Sequence, residues 1–183
     1  KPWEHRDDYA DRTNTPANPS AMVFSDGVFF DPADARFKMW YMGGFLMSTC
    51  YAESDDGITW RKPALDVVKG TNIVWASHRD SSTIWLDQFT RDPQQRYKMS
   101  LWNDHHLRLH ASRDGVHWNE SGQTGPAGDR STFFYNPFRH VWVFSIRGEE
   151  QTRGFEGRYR RDWESRNFFD AQRWRGSQPG AWV

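Results

Sequence analysis

The stretch Ser54–Trp60 reads SDDGITW and the stretch Ser112–Trp118 reads SRDGVHW, so the pattern S-x-D-G-x-x-W occurs twice, with its tryptophans 58 residues apart. Asp and Gly favour a tight turn, and Ser and Asp side chains can bond to the turn amides. The bulky Trp is suited to filling the gap between neighbouring sheets. We interpret the pattern as the structural turn of an internal repeat.

A similar hairpin precedes each copy. An Asp-Pro turn is followed by a strand-like run with Lys at its second position and Met at its third, and a looser third copy ends at a tryptophan 56 residues after the second. The three units contain Asp31-Pro32, Phe37–Tyr41 and Trp60; Asp92-Pro93, Tyr97–Leu101 and Trp118; and Asn136-Pro137, Val141–Phe144 and Ser165–Trp174. A strand-built repeat of this order of length is typical of propeller blades.

The sequence therefore predicts an all-β chain, a β-propeller of four-stranded antiparallel blades. After a lead-in segment over residues 1–20, we expect blades over about 21–63, 80–121 and 129–176 of a domain that covers 21–183. Propellers start at about four blades, so three cannot close a ring. We expect these three to belong to a ring of five or six, whose remaining blades come from the rest of a longer chain or from another copy.

Composition excludes several classes of function. The 24 basic and 24 acidic side chains balance, which gives no electrostatic case for binding nucleic acid. The single cysteine, Cys50, cannot form an internal disulfide, and no Cys/His spacing indicates zinc, so we expect neither metal nor cofactor. There is no apolar run long enough for a membrane span. The aromatic content of 16% suits carbohydrate binding, although aromatic residues also fill strands well.

Three aspartates are candidates for chemistry. Asp80 and Asp129 each precede an apolar strand at equivalent positions, and Asp26 lies in the comparable place with an offset of about two residues. Inner strands of a propeller bring such residues to one end of the central channel. Crowded carboxylates repel, which raises the pKa of at least one and leaves an acid beside a base. Glycosidic bond cleavage uses such a pair. Glu149 and Glu150 are further candidates for the acid.

Other polar and aromatic residues near these aspartates are candidates for substrate binding: Arg79, Arg130, Arg147, His78, Trp102 and His106. Guanidinium groups could clamp sugar hydroxyls or a uronate carboxylate. Structural roles are the alternatives: Asp80 and Asp129 could cap turns, Asp26 could belong to a bulge, and the two glutamates could be solvated surface. Turn positions account for Asp31, Asp55, Asp56, Asp92 and Asp114.

In these motifs the chain resembles the five-bladed β-propeller glycoside hydrolases of the superfamily that includes families 32, 43 and 130. The resemblance rests on Phe24–Val28, Phe37–Tyr41, Tyr51–Trp60 and Asn136–Arg139. It implies an Asp base or nucleophile, a second Asp that positions or tunes, and a Glu acid, in the order Asp26, then Asp80 or Asp129, then Glu149 or Glu150. It also implies a carbohydrate substrate and a secreted or periplasmic location. The W-x-N-D-P-N signature of the invertase-like family is absent.

Three hypotheses of function follow. The first is a glycoside hydrolase that acts on a poly- or oligosaccharide by carboxylate acid/base chemistry. The second is a propeller that binds carbohydrate without cleaving it. The third is a repeat scaffold for a protein partner, which predicts no cluster of acids at the end of the channel.

Overall fold

The computed structural model describes residues 1–7, 19–149, 157–175 and 180–181, and within them almost all regular structure is β-strand. The strands form three antiparallel sheets of four strands each. The first sheet, ordered β1-β2-β3-β4, contains Ala21–Asp31, Arg36–Gly43, Ser48–Ser54 and Ile73–Trp75. The second, β5-β6-β7-β8, contains Ser82–Leu86, Tyr97–Asn103, His106–Ser112 and Trp118–Pro126. The third, β9-β10-β11-β12, contains Thr132–Asn136, Val141–Glu149, Arg158–Ser165 and Gly180–Ala181.

The first strands of the three sheets are neighbours, because β1 contacts β5 and β5 contacts β9. β1 and β5 approach closely at Gly27, where an added Cβ atom would lie 2.9 Å from the carbonyl oxygen of Ile84. Gly27 also has a φ of +140°, which favours glycine. Sheets that fan out from adjacent inner strands are propeller blades. The predicted fold class is therefore confirmed, with three four-stranded antiparallel blades.

Apolar side chains fill the two spaces between the blades. Between the first and second blades lie Trp40, Tyr51, Val74, Ile84, Leu86, Tyr97 and Met99, all buried. Between the second and third lie Leu107, Leu109, Phe133, Trp142, Phe144, Phe168 and Trp174, also buried. Complete burial of one such side chain contributes about 1.5–3 kcal/mol relative to its exposure. Packing between blades therefore fixes where the inner strands lie.

The repeated turn has the predicted hydrogen bonds. In the second copy, Ser112 Oγ accepts from the Gly115 amide at 2.8 Å, and Asp114 Oδ1 accepts from the amides of Val116 and His117, both at 2.8 Å. The first copy has the same arrangement around Ser54 and Asp56. The third copy differs, because a 3₁₀ helix over Phe168–Arg173 replaces the turn.

The tryptophans of the repeat occupy different faces. Trp118 and Trp174 pack into the spaces between blades, as expected. Trp60 packs instead on the opposite face of the first sheet, in a cluster beside Trp3. The contact between neighbouring blades near the second turn is made by Trp40, whose Nε1–H donates to the Gly115 carbonyl at 2.7 Å.

The observed sheets extend beyond the expected blade boundaries. The fourth strand of the first sheet comes from Ile73–Trp75, inside a segment that we expected to be a connector between blades. The fourth strand of the second sheet continues to Pro126 rather than ending near residue 121. Both strands lie at the outer end of a sheet and carry bulges, so neither shows a clear alternation in sequence. No helix among the described residues is long and apolar enough to cross a membrane.

Candidate functional site

The site lies at the mouth, which we define as the end of the inner strands where β5 and β9 begin. Ser25 Oγ donates to the Ser82 carbonyl at 2.5 Å and so holds the middle of β1 beside the start of β5. A bulge in β1 between Met22 and Gly27 moves Asp26 to this level. This bulge accounts for the offset of about two residues between Asp26 and the equivalent positions of Asp80 and Asp129 in the other repeats.

Asp26 and Arg79 form a buried ion pair. Both side chains have no exposed surface, and the guanidinium of Arg79 lies 2.5 Å from Asp26 Oδ1 and 3.3 Å from Oδ2. Arg79 also donates to Thr49 Oγ1 at 3.3 Å. Burial raises the pKa of Asp26 above its ordinary value, and the charge of Arg79 opposes that shift. Asp26 and Thr49 therefore both hold the guanidinium of Arg79.

Asp80 and Asp129 both approach the guanidinium of Arg130. Arg130 Nε lies 3.6 Å from Asp80 Oδ1 and 3.8 Å from Asp129 Oδ2. Asp80 Oδ1 is buried and accepts no hydrogen bond, although the Asp80 side chain as a whole is 14% exposed. Arg79 Nε donates to the Asp80 backbone carbonyl at 3.0 Å, so the buried ion pair also positions this residue.

Arg147 completes the cluster from the third blade. Its guanidinium contacts the carboxylate of Asp129, and its backbone amide donates to Ser131 Oγ at 3.0 Å. Gly128, just before Asp129, donates its amide to the Arg147 carbonyl at 2.9 Å. The three candidate aspartates are thus linked in the order Asp26, Arg79, Asp80, Arg130, Asp129, Arg147. Each link is a contact of a guanidinium with a carboxylate, except that Arg79 bonds to the Asp80 backbone carbonyl.

Arg130 is held in a conformation that non-glycine residues rarely adopt. Its φ is +61°, and its amide donates to the hydroxyl of the buried Ser81 at 2.9 Å. Its guanidinium carbon lies 4.3 Å from the ring centroid of Phe24, so an arginine of the third blade stacks on an aromatic residue of the first. Strained backbone held by its surroundings is common at functional sites.

The remaining candidates lie around this cluster. Trp102 Nε1 donates to the Ala127 carbonyl at 2.8 Å, which supports the segment before Asp129. His106 Nδ1 is 2.9 Å from the Thr124 carbonyl. His78 is exposed and lines a cavity of about 230 Å³ beside Trp3, and none of the three aspartates lines that cavity. Glu149 is the last residue of β10, where it pairs with Arg158, and Glu150 lies outside the described residues.

The structure adds three residues that sequence reasoning missed. They are Phe24 under Arg130, Ser81 beneath its amide, and Arg160, which donates to the Arg130 carbonyl at 2.8 Å. Phe24 and Ser81 are immediate neighbours of Ser25-Asp26 and Asp80, so proximity in sequence was an available signal. No such signal existed for Arg160, which comes from β11.

A second cavity, of about 360 Å³, lies at the opposite end of the inner strands and is lined by residues such as Pro32, Asp87, Arg91 and Arg96. Its one carboxylate, Asp87, is already paired with Lys98 at 2.6 Å. Among the described residues, no group of three or more His, Cys, Asp or Glu side chains is arranged to hold a metal ion. The mouth is therefore the place where several acids and arginines meet.

Comparisons with protein-family models and with curated protein sequences find no match. Among solved structures, the chain is similar to two crystal structures of an exo-β-1,3-galactanase from Phanerochaete chrysosporium with β-1,3-galactotriose. Sequence identities are 11% and 10%, and TM-scores are 0.47 and 0.48. Each alignment covers 82% of this chain and 34% of the galactanase chain, so this chain spans about a third of their length.

Proposed function

We propose that the protein is a glycoside hydrolase whose reacting groups are Asp80 and Asp129. The observation that carries the proposal is the convergence of these two carboxylates on Arg130, with Asp80 Oδ1 buried and accepting no hydrogen bond. A buried oxygen without a partner is costly, and a substrate hydroxyl or an attacking water would supply that partner. Both side chains keep some exposure, whereas Asp26 has none.

Two carboxyl groups are sufficient for the reaction. One protonates the glycosidic oxygen as its bond to the anomeric carbon breaks. The other, as carboxylate, either takes a proton from the water that attacks that carbon or attacks the carbon directly. Asp26 then has a positioning role, because it holds Arg79 and Arg79 holds the Asp80 backbone. Glu149 and Glu150 remain candidates for the acid.

A propeller that binds carbohydrate without cleaving it is the second candidate. It is favoured by the ion pairs of Asp26 with Arg79 and of Asp129 with Arg147, since these guanidiniums already occupy carboxylates that the reaction would need to be free. The protein-scaffold hypothesis is disfavoured by the cluster of acids at the mouth. A secreted or periplasmic location and further blades that close the ring belong to the proposal as well, supported by the motif resemblance and by the count of blades.

The test is hydrolysis of a panel of oligosaccharides by the wild type and by Asp80→Asn, Asp129→Asn and Asp26→Asn. We expect the first two variants to lose about 10²–10⁴-fold in turnover while still binding sugar, since amides cannot exchange the proton. Asp92→Asn is the control, because Asp92 caps an exposed 3₁₀ helix over Pro93–Gln95. Unchanged turnover in all three variants would remove the site, and sugar binding without turnover by the wild type would favour the second candidate.

A further inference from the structure

The mouth carries more positive charge than its aspartates balance. Five arginines of the described residues lie around three aspartates and Glu149, which is opposite Arg158: Arg79, Arg130, Arg147, Arg158 and Arg160. The chain as a whole is neutral, so this local excess does not follow from a basic composition. Asp26 is already occupied by Arg79, and Asp129 by Arg147.

Arg160 is the main contributor to this excess of positive charge. Its guanidinium donates to two backbone carbonyls, that of Arg130 at 2.8 Å and that of Ser145 at 3.2 Å. It is exposed, and it forms no ion pair with another residue that the structure describes. Two carbonyls orient a guanidinium without neutralising its charge, and the remaining N–H groups stay available to an acceptor. The bond to Arg130 places this charge against a residue of the site.

Arg158 adds a second exposed cation on the same strand face, two residues before Arg160. The charges of Arg158 and Arg160 act on Arg147. Burial lowers the pKa of Arg147 most, and repulsion from these two guanidiniums lowers it further. Like charges held together are unfavourable unless an anion offsets them. The arrangement is thus suited to an anionic ligand rather than a neutral one.

We infer that the mouth binds an anionic carbohydrate, with Arg160 and Arg158 receiving its acid group. The shared chemistry is a planar or tetrahedral oxyanion on a sugar ring, either a uronate carboxylate or a sulfate ester, both of which a guanidinium can bind through two hydrogen bonds. This inference rests on the proposed carbohydrate function and specifies its substrate class.

The test is calorimetric titration of the intact protein with matched ligands. One arm compares trigalacturonate with its methyl ester, and the other compares a sulfated galactose trisaccharide with its desulfated form. We expect at least one acidic ligand to bind about tenfold or more tightly than its neutral partner, with an affinity that falls as salt rises. The arm in which the acidic ligand binds more tightly shows whether the acid group is a carboxylate or a sulfate.

Substitutions of Arg160 test where the acid group of the ligand binds. Arg160→Gln should reduce binding of the acidic ligand about tenfold and leave the neutral ligand unaffected, and Arg160→Lys should recover part of the loss because it keeps charge but not the fork. Arg113→Gln is the matched control, since Arg113 is exposed in the turn of the second blade. Equal affinity for acidic and neutral ligands, or equal loss in the Arg113 variant, would overturn the inference.

The two proposals fail separately. Hydrolysis of neutral glycans that depends on Asp80 and Asp129, with no preference for acidic ones, would leave the hydrolase and remove the anionic substrate. Tight binding of an acidic glycan through Arg160 without turnover would remove the hydrolase and keep the ligand class.

Discussion

At the scale of single residues, the fully buried Asp26–Arg79 pair is the anchor of the mouth. Two charges without exposed surface are stable only when each satisfies the other, and removal of one partner from such a pair typically costs about 3–5 kcal/mol. Arg79 also bonds to Thr49 in the first blade and to the Asp80 backbone at the start of the second. One side chain therefore ties the position of a candidate catalytic residue to the fold of the preceding blade.

His110 makes stability depend on pH. Its ring is fully buried and lies 4.5 Å from the Trp75 ring, and its Nε2 is 3.9 Å from Glu120 Oε2, beyond hydrogen-bond distance. Burial lowers its pKa from 6.5 to about 4. The unfolded chain therefore takes up a proton at higher pH than the folded one. The contribution of His110 to the free energy of unfolding should therefore be constant above about pH 6.5. It should fall towards pH 4, by at most about 1.4 kcal/mol per pH unit.

Urea unfolding between pH 7 and pH 4 measures this effect. As pH falls, the wild type should lose stability relative to His110→Phe, so that the difference between the two proteins changes with pH. His117, whose pKa is raised by its bond to Asp114, stabilises both proteins alike as pH falls. Glu4 and Asp114, whose pKa values are each lowered to about 2, add a loss at lower pH in both proteins alike. Parallel pH profiles for wild type and variant would contradict the assignment to His110.

At the scale of elements, the repeated turn joins two blades through its glycine. Gly115 has a φ of +80°, and a Cβ atom there would lie 2.4 Å from the Trp40 ring. Gly57, in the first copy, has a φ of +74° but only ordinary contacts with Phe37 at 3.5 Å. Gly70 has a φ of +78° and open space around it. The three glycines thus share a backbone conformation and differ in their surroundings.

Alanine substitutions at these glycines separate the cost of the left-handed backbone conformation from the cost of the contact with Trp40. Gly70→Ala and Gly57→Ala should each destabilise by about 1–2 kcal/mol, the cost of the left-handed conformation. Gly115→Ala should destabilise by roughly 1–3 kcal/mol more, because Trp40 must move out of the packed space between the blades. Denaturant midpoints measure the order. Equal losses at the three positions would show that the second turn does not hold the blades together.

Much of the element-level structure could be predicted from the repeat, because Ser, Asp, Gly and Trp at fixed spacing specify a turn by local chemistry. Asp31 shows the limit of that reasoning. We assigned it to a turn by position, and its Oδ1 does accept from the Ala33 amide at 3.0 Å. It is also fully buried and contacts Lys38 at 3.0 Å, Arg96 and Tyr97, which the sequence did not indicate. An equivalent pair, Asp87 with Lys98, lies in the second blade. Both lysines were visible in the repeat, but their partners depend on the strand register.

At the scale of the whole molecule, the mouth depends on packing between blades. The convergence of Asp80 and Asp129 could be predicted, because equivalent positions in successive blades lie at the same end of the inner strands. Their pairing with arginines could not, since Arg130 reaches Phe24 across two blades and Arg160 comes from the third strand of its sheet. Such contacts between residues distant in sequence have no periodic signature.

The most direct test of the account is a crystal structure of the Asp80→Asn variant soaked with a trisaccharide that the protein binds. The substitution should slow turnover and leave the sugar in place. We predict that a sugar ring lies at the mouth within hydrogen-bond distance of Asp129 and Arg130, with any acid group against Arg160. A trisaccharide bound instead on the outer strands, or at the opposite end of the inner strands beside Arg91, would contradict the assignment of the mouth as the functional site.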